Sequence, residues 1–193
     1  MAARRAFTII ELMIVVAIIA LLMTILAPSL GKARNDARRT ACATNLRQVG
    51  IGLRTYLGAC NDKMPYASYM PSISPLPLDG NDPIYISDVL LADVGNQVKV
   101  FQCANDKPSP DRDPPNTNKS YFDSERTSYE YSMRLMGETI EEYVRQIREH
   151  TGRVVPTNTV WIFRDFNNFH GAGGTSGSRR YLYIDGHVTD FEM

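Results

Sequence analysis

The chain has 193 residues, of which 44% are hydrophobic and 22% are charged, with 21 basic and 21 acidic side chains. This composition excludes a wholly disordered chain, and the balanced charge excludes a basic nucleic-acid coat and an acidic tail. Three cysteines are too few for a miniprotein held together by disulfides. We therefore expect one folded domain with an appendage, and no nucleic-acid partner.

The apolar residues are concentrated near the N-terminus. Twenty consecutive uncharged residues follow Glu11, LMIVVAIIALLMTILAPSLG, and such a run is long enough to cross a bilayer core as a helix. Basic residues stand on both sides of the run, so charge alone leaves its orientation open. A secretory signal peptide and an ordinary single-span anchor are two interpretations. The apolar run is longer than a signal-peptide core, and neither interpretation explains an acidic residue within an apolar stretch.

A third interpretation takes residues 4–16, RRAFTIIELMIVV, as one processing signal. This stretch resembles the N-terminal signal of the type IV pilin and type II secretion pseudopilin superfamily. The resemblance implies that a prepilin peptidase cuts between Ala6 and Phe7 and that the new Phe7 amine is methylated. Glu11 then becomes the fifth residue of the mature chain, and Pro28 stands where the family's helix often carries a proline. The family usually has Gly before the cut, where this chain has Ala6.

The resemblance also implies an assembly role for the mature N-terminus. In a filament of this family, Glu11 would pair with the protonated Phe7 amine of a neighbouring subunit, because a buried carboxylate is tolerated when a cation satisfies it. Pro28 belongs to the same assembly helix. The alternative for Glu11 is a carboxylate that lies at headgroup depth. Cleavage removes two arginines, so the mature chain has two more acidic than basic residues.

The helical pattern continues beyond the apolar run. Four leucine and valine side chains share one face of the continuing helix, at Leu46, Val49, Leu53 and Leu57. A continuous helix from Phe7 to Ala59 would measure roughly 80 Å at 1.5 Å per residue. We therefore predict four segments: a leader at 1–6, a transmembrane and polymerisation helix at 7–31, a helix entering the domain at 32–60, and an extracytoplasmic domain at 61–193.

Short elements and loops are predicted in that domain. Five prolines between residues 65 and 83 exclude a regular helix there, and residues 104–127 are polar enough to form a long loop. The patterns predict helices at 87–94, with Ser87 as N-cap, and 138–150, and strands at 98–102, 128–133 and 159–164. The segment 181–191 predicts a hairpin around Asp185-Gly186 with a two-residue type I′ turn. A helix followed by antiparallel strands predicts an α+β, pilin-like fold.

Three further motifs, CATNLRQ at 42–48, CAND at 103–106 and DGHV at 185–188, are similar to a bacterial subfamily of prepilin-like proteins. Cys42 and Cys60 lie too far apart on one helix to pair with each other, at roughly 27 Å. The residues alone leave open a Cys42–Cys103 disulfide, a Cys60–Cys103 disulfide or three unpaired thiols. The resemblance implies the Cys42–Cys103 pair, in an oxidising cell envelope.

His170, Asp185 and His187 are the candidate metal ligands, since imidazole and carboxylate groups bind metals. Turn geometry accounts for Asp185-Gly186, so we predict no metal and no cofactor. Calcium is the alternative, because some members of the resembled family bind it near the C-terminus. The glycine-rich segment 171–177 lacks the P-loop spacing and predicts a flexible connector. No catalytic constellation is present in the sequence, and we predict no enzyme.

The sequence therefore predicts a prepilin-like structural subunit of a type IV pilus-like filament or a type II secretion pseudopilus. Its partners would be prepilin peptidase, other pilin or pseudopilin subunits, the inner-membrane assembly platform and the lipid bilayer. It would cross the bacterial inner membrane once, with a cytoplasmic N-terminus and a periplasmic domain. The alternative is a permanently anchored envelope protein that binds a ligand or metal and never polymerises.

Overall fold

The computed structural model describes residues 8–68, 84–108, 118–171, 173, 175 and 177–190. The chain divides into two compact units, Met1–Ala37 and Arg38–Met193. The helices are α1 (Ile9–Ala59), α2 (Ile86–Val89), α3 (Tyr121–Glu125) and α4 (Ile140–Thr151), and the strands are β1 (Tyr129–Tyr131), β2 (Trp161–Asp165), β3 (Arg180–Tyr183) and β4 (Val188–Asp190). The predicted α+β class is confirmed. The predicted leader at 1–6 and most of the proline-rich loop lie outside the described residues.

The first unit consists, in its described part, of the N-terminal portion of α1. Every described side chain from Thr8 to Ala37 is exposed, including a continuous series of isoleucine, leucine, valine and methionine residues. Within the described residues, α1 is the one helix long and apolar enough to cross a membrane. A helix that is apolar on every side has no single face to bury against a domain. The surroundings of this segment must therefore be apolar.

The second unit is organised around the C-terminal portion of α1. This portion buries one stripe of side chains, Cys42, Leu46, Val49, Leu53 and Leu57. The stripe belongs to the same core cluster as the buried side chains of the sheet, among them Tyr129, Tyr131, Phe163 and Leu182. The tyrosine hydroxyls are paired within this core: Tyr131 donates to the Pro65 carbonyl at 2.9 Å and Tyr129 to the Cys42 carbonyl at 3.4 Å.

The four strands form one antiparallel sheet in the order β1-β2-β3-β4. Two arginines of α1 hold its last hairpin. Arg39 donates to the Asp190 carboxylate at 2.7 Å and to the Gly177 carbonyl at 2.9 Å. Arg54 donates to the backbone carbonyl of Asp185 in the hairpin loop. These contacts attach both ends of the β3–β4 hairpin to the helix.

The predicted two-residue type I′ turn at Asp185-Gly186 is wrong. That turn needs a positive φ at both central residues, but Asp185 keeps a negative φ while Gly186 has φ +89°. The connection is a three-residue loop, Ile184 to Gly186, closed by a hydrogen bond from the Tyr183 amide to the His187 carbonyl at 3.0 Å. Gly186 therefore supplies the one left-handed residue that a three-residue loop needs.

Two other predicted elements differ in the structure. The predicted strand at 98–102 is a 3₁₀ helix, Val98–Phe101, in which the adjacent residues Val100 and Phe101 are both buried. A strand would place adjacent side chains on opposite faces, so burial of both overrides the strand propensity. The predicted helix at 87–94 is helical only at Ile86–Val89 and continues as turns, with Tyr85 rather than Ser87 at its N-cap.

The other predicted elements are confirmed with shifted bounds. Helix α4 begins two residues later than predicted, after a capping box between Thr139 and Glu142. Strands β1 and β2 lie within or beside their predicted ranges. The predicted loop at 104–127 contains the short helix α3, which begins with a capping box between Ser120 and Asp123.

Helix packing in the second unit predicts opposite effects at two glycines of α1. A Cβ at Gly52 would lie 2.5 Å from Val94 Cγ1, whereas nothing lies within 4 Å of a Cβ at Gly58. Gly58→Ala should raise the free energy of unfolding by up to about 1 kcal/mol through helix propensity. Gly52→Ala should lower it by about 1 kcal/mol, because overpacking costs more than propensity gains. Both changes in unfolding free energy can be measured by urea unfolding of the detergent-solubilised chain, with the fluorescence of its single tryptophan as the signal. Equal effects of the two substitutions would contradict the close contact between Gly52 and Val94.

Candidate functional site

The first candidate site is the N-terminal end of α1, where Glu11 bonds within its own chain. The Glu11 carboxylate accepts from the Thr8 amide at 2.9 Å and from the Thr8 hydroxyl at 2.7 Å. The Glu11 amide in turn donates to the Thr8 hydroxyl at 3.3 Å. This reciprocal pattern is a capping box, whose signal in the sequence is Thr-x-x-Glu immediately before the apolar run. Sequence analysis assigned Glu11 to assembly and missed this local role.

Of the other residues predicted to act in processing and assembly, only Pro28 lies within the described part of the chain. Ala6 and Phe7 lie outside the described residues. Pro28 lies inside α1 and is exposed. Proline has no amide proton and so cannot donate to the carbonyl four residues earlier, at Thr24. Hydroxyl groups satisfy other carbonyls nearby: Thr24 donates to the Ala20 carbonyl at 2.6 Å and Ser29 to the Leu26 carbonyl at 2.8 Å.

The second candidate site is a buried polar cluster around a disulfide in the second unit. Cys42 on α1 and Cys103 are joined by a disulfide; their Cα atoms are 4.9 Å apart and the two residues are 61 positions apart in sequence. Both residues are fully buried. Cys60 is free and only partly buried. The structure therefore has the pairing that the family resemblance implied, which the residues alone had left open.

A histidine and an aspartate lie beside the disulfide with completely buried side chains. His170 Nε2 is 3.2 Å from Asp165 Oδ2 and 3.6 Å from Cys103 Sγ. The other ring nitrogen, Nδ1, is 3.2 Å from the side-chain nitrogen of Asn105, which also donates to the Phe169 carbonyl at 3.1 Å. Because Asn105 can only donate from that nitrogen, Nδ1 accepts and Nε2 carries the proton that faces Asp165.

Asp165, the last residue of β2, is the most buried carboxylate of this cluster. Its Oδ2 also accepts from the Arg180 amide at 2.8 Å. Its Oδ1 is buried and has no hydrogen-bond partner among the described residues. Burial raises the pKa of Asp165, and the hydrogen bond from His170 opposes that rise. A buried carboxylate oxygen without a partner is costly, so this atom is the least satisfied part of the cluster.

A second aspartate orders the segment that follows Cys103. Asp106 accepts from the amides of Tyr121 and Phe122, at 3.0 and 2.8 Å, and from the Ser128 hydroxyl at 2.6 Å. Ser128 in turn accepts from the Cys103 amide at 3.0 Å. Asp106 thereby ties the disulfide segment to α3 and to the start of β1. The motif CAND marked this residue in the sequence, but gave no sign of its partners.

The structure does not bring the three predicted metal ligands together as one set. His170 lies against Asp165 and Cys103, as described above. His187 contacts Asp185 through Nδ1 and stacks on the Tyr183 ring with 4.3 Å between ring centres. Among the described residues, the group of three metal-binding side chains within reach of one ion is Cys42, Cys103 and His170. The calcium alternative is not tested by these contacts and stays a prediction.

Loss of the disulfide should strongly destabilise the second unit. A cross-link over 61 positions restricts the unfolded chain by about 4 kcal/mol in the loop-entropy model. The double substitution Cys42→Ala and Cys103→Ala should therefore lower the free energy of unfolding by that amount, measured by urea unfolding under oxidising conditions. Cys60→Ala is the matched control and should change it by less than about 1 kcal/mol. A similar loss of unfolding free energy in both variants would contradict the assignment of the disulfide to Cys42 and Cys103.

Comparison with known proteins gives one family match. Residues 1–27 match the model of the prokaryotic N-terminal methylation motif. No curated protein and no solved structure matches the chain. The matched segment contains the predicted cleavage position, Glu11 and most of the apolar run that forms the start of α1. The chain thus carries the prokaryotic N-terminal methylation motif, which supports the type IV pilin and pseudopilin class, at the start of a helix long and apolar enough to cross a membrane.

Proposed function

We propose that this protein is a structural subunit of a type IV pilus-like filament or a type II secretion pseudopilus. Prepilin peptidase cuts it between Ala6 and Phe7, the Phe7 amine is methylated, and the assembly platform of the inner membrane draws the mature chain into a filament with other subunits. The single observation that carries the proposal is the methylation motif at residues 1–27. The motif's family is structural rather than catalytic.

The exposed apolar surface of the first unit supports assembly. From Thr8 to Gly31 the side chains are all exposed, and Glu11 is the only charged residue among them. Such a surface is stable in a bilayer or against other apolar helices, but not in water. A subunit that leaves the bilayer must therefore exchange lipid contacts for contacts with other subunits. Glu11 needs a cation during that exchange, and the methylated Phe7 amine of a neighbour supplies one.

The chemistry of the second unit supports a location outside the cytoplasm. Cys42 and Cys103 form a buried disulfide, and disulfides persist in oxidising compartments such as the periplasm. A single membrane-spanning helix near the N-terminus then leaves the N-terminus in the cytoplasm, on the opposite side from the domain. In a filament the domain would form the outer surface, around helices that pack at the centre.

A second function follows from the capping box at Glu11. Because Thr8 already provides two hydrogen bonds to the Glu11 carboxylate, this residue has a structural role in a single chain. The same segment could then anchor a domain that binds a ligand in the envelope and never polymerises. The two functions differ in what they require at position 11. Assembly requires a charge there, whereas anchoring requires only a helix cap.

Two substitutions separate these requirements. Glu11→Gln removes the charge and keeps a side chain that serves a capping box, whereas Thr8→Val removes the cap and keeps the charge. If Glu11 pairs with a neighbouring amine, Glu11→Gln should lower incorporation into the sheared filament fraction at least tenfold, and Thr8→Val should leave it within twofold. Incorporation is measured by immunoblotting of sheared filaments and of membranes.

Processing is the control in this experiment, because both substitutions lie near the cleavage position. Intact mass should show that each variant starts at Phe7 and remains in the membrane. Assembly of Glu11→Gln at the level of the unmodified chain would overturn the pairing. Loss of assembly in Thr8→Val alone would assign Glu11 to the helix cap instead.

A further inference from the structure

The buried cluster in the second unit has the composition of a metal site. Sγ of Cys42, Sγ of Cys103 and a ring nitrogen of His170 all lie within 4.8 Å of one another. Asp165 adds a carboxylate oxygen 3.2 Å from His170 Nε2. Two sulfurs, one imidazole and one carboxylate are ligands that suit Zn²⁺ in a tetrahedral arrangement. We propose that Cys42, Cys103, His170 and Asp165 bind one zinc ion when the disulfide is reduced.

The spacings match the edges of a zinc tetrahedron. With Zn–S near 2.3 Å and Zn–N and Zn–O near 2.0–2.2 Å, a tetrahedral site has S···N edges of about 3.6 Å and N···O edges of about 3.4 Å. The structure has 3.6 Å from Cys103 Sγ to His170 Nε2 and 3.2 Å from His170 Nε2 to Asp165 Oδ2. Two of the edges are therefore already close to those of a zinc site. Asp165 lies outside the group whose ligand atoms are all within 4.8 Å of one another, so its carboxylate has to turn toward the sulfurs to complete the set.

The fourth ligand requires the two sulfurs to separate. Two thiolates on one zinc ion lie about 3.8 Å apart, and the Cα atoms of Cys42 and Cys103 are 4.9 Å apart. A two-electron reductant breaks the S–S bond and gives two thiols: a dithiol does so by becoming a disulfide, and a phosphine does so together with one water molecule by becoming a phosphine oxide. Zinc then displaces the two thiol protons. Disulfide and zinc are thus alternative ways to join the same two cysteines.

Asp165 gives independent support, because its buried Oδ1 has no partner among the described residues. In the disulfide state Asp165 accepts from His170 and from the Arg180 amide through Oδ2 alone. An ion within the cluster would bind this carboxylate and remove the cost of its burial. The side chains of Asp165 and His170 are both completely inaccessible to solvent. An ion bound through Oδ1 would give this oxygen the partner it lacks, while Oδ2 keeps the hydrogen bond from the Arg180 amide.

Asn105 controls which ring nitrogen of His170 is free. Its amide nitrogen faces Nδ1 in the disulfide state, which leaves the proton on Nε2. Zinc must replace that proton, so Nδ1 has to become a donor and position 105 has to accept from it. A carboxylate at this place would do so and form a carboxylate–histidine–zinc triad. Asn105→Asp should therefore strengthen zinc binding, which a purely structural role of Asn105 would not cause.

The test uses the full mature chain in detergent micelles, purified under a phosphine reductant and freed of metal with a chelator. One equivalent of Zn²⁺ should bind per reduced chain and none to the oxidised chain, measured by equilibrium dialysis and elemental analysis. Co²⁺ serves as the spectroscopic probe, since thiolate-bound tetrahedral cobalt has charge-transfer and d–d bands. Removal of a ligand should weaken binding at least tenfold in His170→Ala and Asp165→Ala.

Three controls keep the proposal falsifiable where a variant folds poorly. Native tryptophan fluorescence of each oxidised variant shows that it folds, and Asn105→Asp provides a gain of binding rather than a loss. Cys60→Ala should leave stoichiometry and affinity unchanged. Equal binding by the oxidised chain, loss of binding in Cys60→Ala, or unchanged binding in His170→Ala would each overturn the site. The outcome is independent of filament assembly, because no step of the test requires it.

Discussion

One helix has to meet two different environments, and the rest of the structure follows from that constraint. From Ile9 to Leu30, α1 is apolar on every side and wholly exposed within its own unit. From Cys42 to Leu57 it buries a single stripe in the core of the second unit. The first portion needs a bilayer or other apolar helices around it, whereas the second needs a sheet against one face. The start of this helix lies within the segment that matches the N-terminal methylation motif.

The core of the second unit combines apolar packing with buried polar side chains, among them Asp106 and Asp165. The disulfide joins α1 to the segment after the 3₁₀ helix, and Asp106 holds that segment to α3. Beside the disulfide, Asp165 and His170 are buried as a pair in which one carboxylate oxygen has no described partner. Buried polar groups stabilise a fold only when all of them are satisfied. In this cluster, burial of the Asp165 carboxylate is therefore only partly compensated by the described residues.

Much of the fold could be predicted from local patterns, because helices, strands and helix caps depend on residues that are close together in the sequence. The apolar run, the stripe at Leu46 to Leu57 and the strands of the hairpin are all visible as periodicities. The Thr8–Glu11 capping box is equally local, and it was missed only because Glu11 was assigned to assembly. The hairpin loop shows the limit of such patterns: Asp-Gly favours a two-residue turn, but the bonds from Arg54 and within the loop select a three-residue one.

The polar cluster could not be predicted, because its members meet only through tertiary structure. Asp165 and His170 come from β2 and the loop after it, whereas Cys42 lies on α1 more than 100 positions earlier. Nothing in their spacing indicates contact. Sequence analysis grouped His170 with Asp185 and His187 by residue type, and the fold places it beside the disulfide instead. The residues alone also left the cysteine pairing open, since chain separation does not choose between Cys42 and Cys60.

Processing as a prepilin can be read from the intact mass of the protein purified from its native membranes. We expect a chain that starts at Phe7 and carries one added methyl group, which fragmentation of the N-terminal peptide would locate. A chain that still starts at Met1, with Ala6 uncut, would contradict this processing and leave a permanently anchored protein.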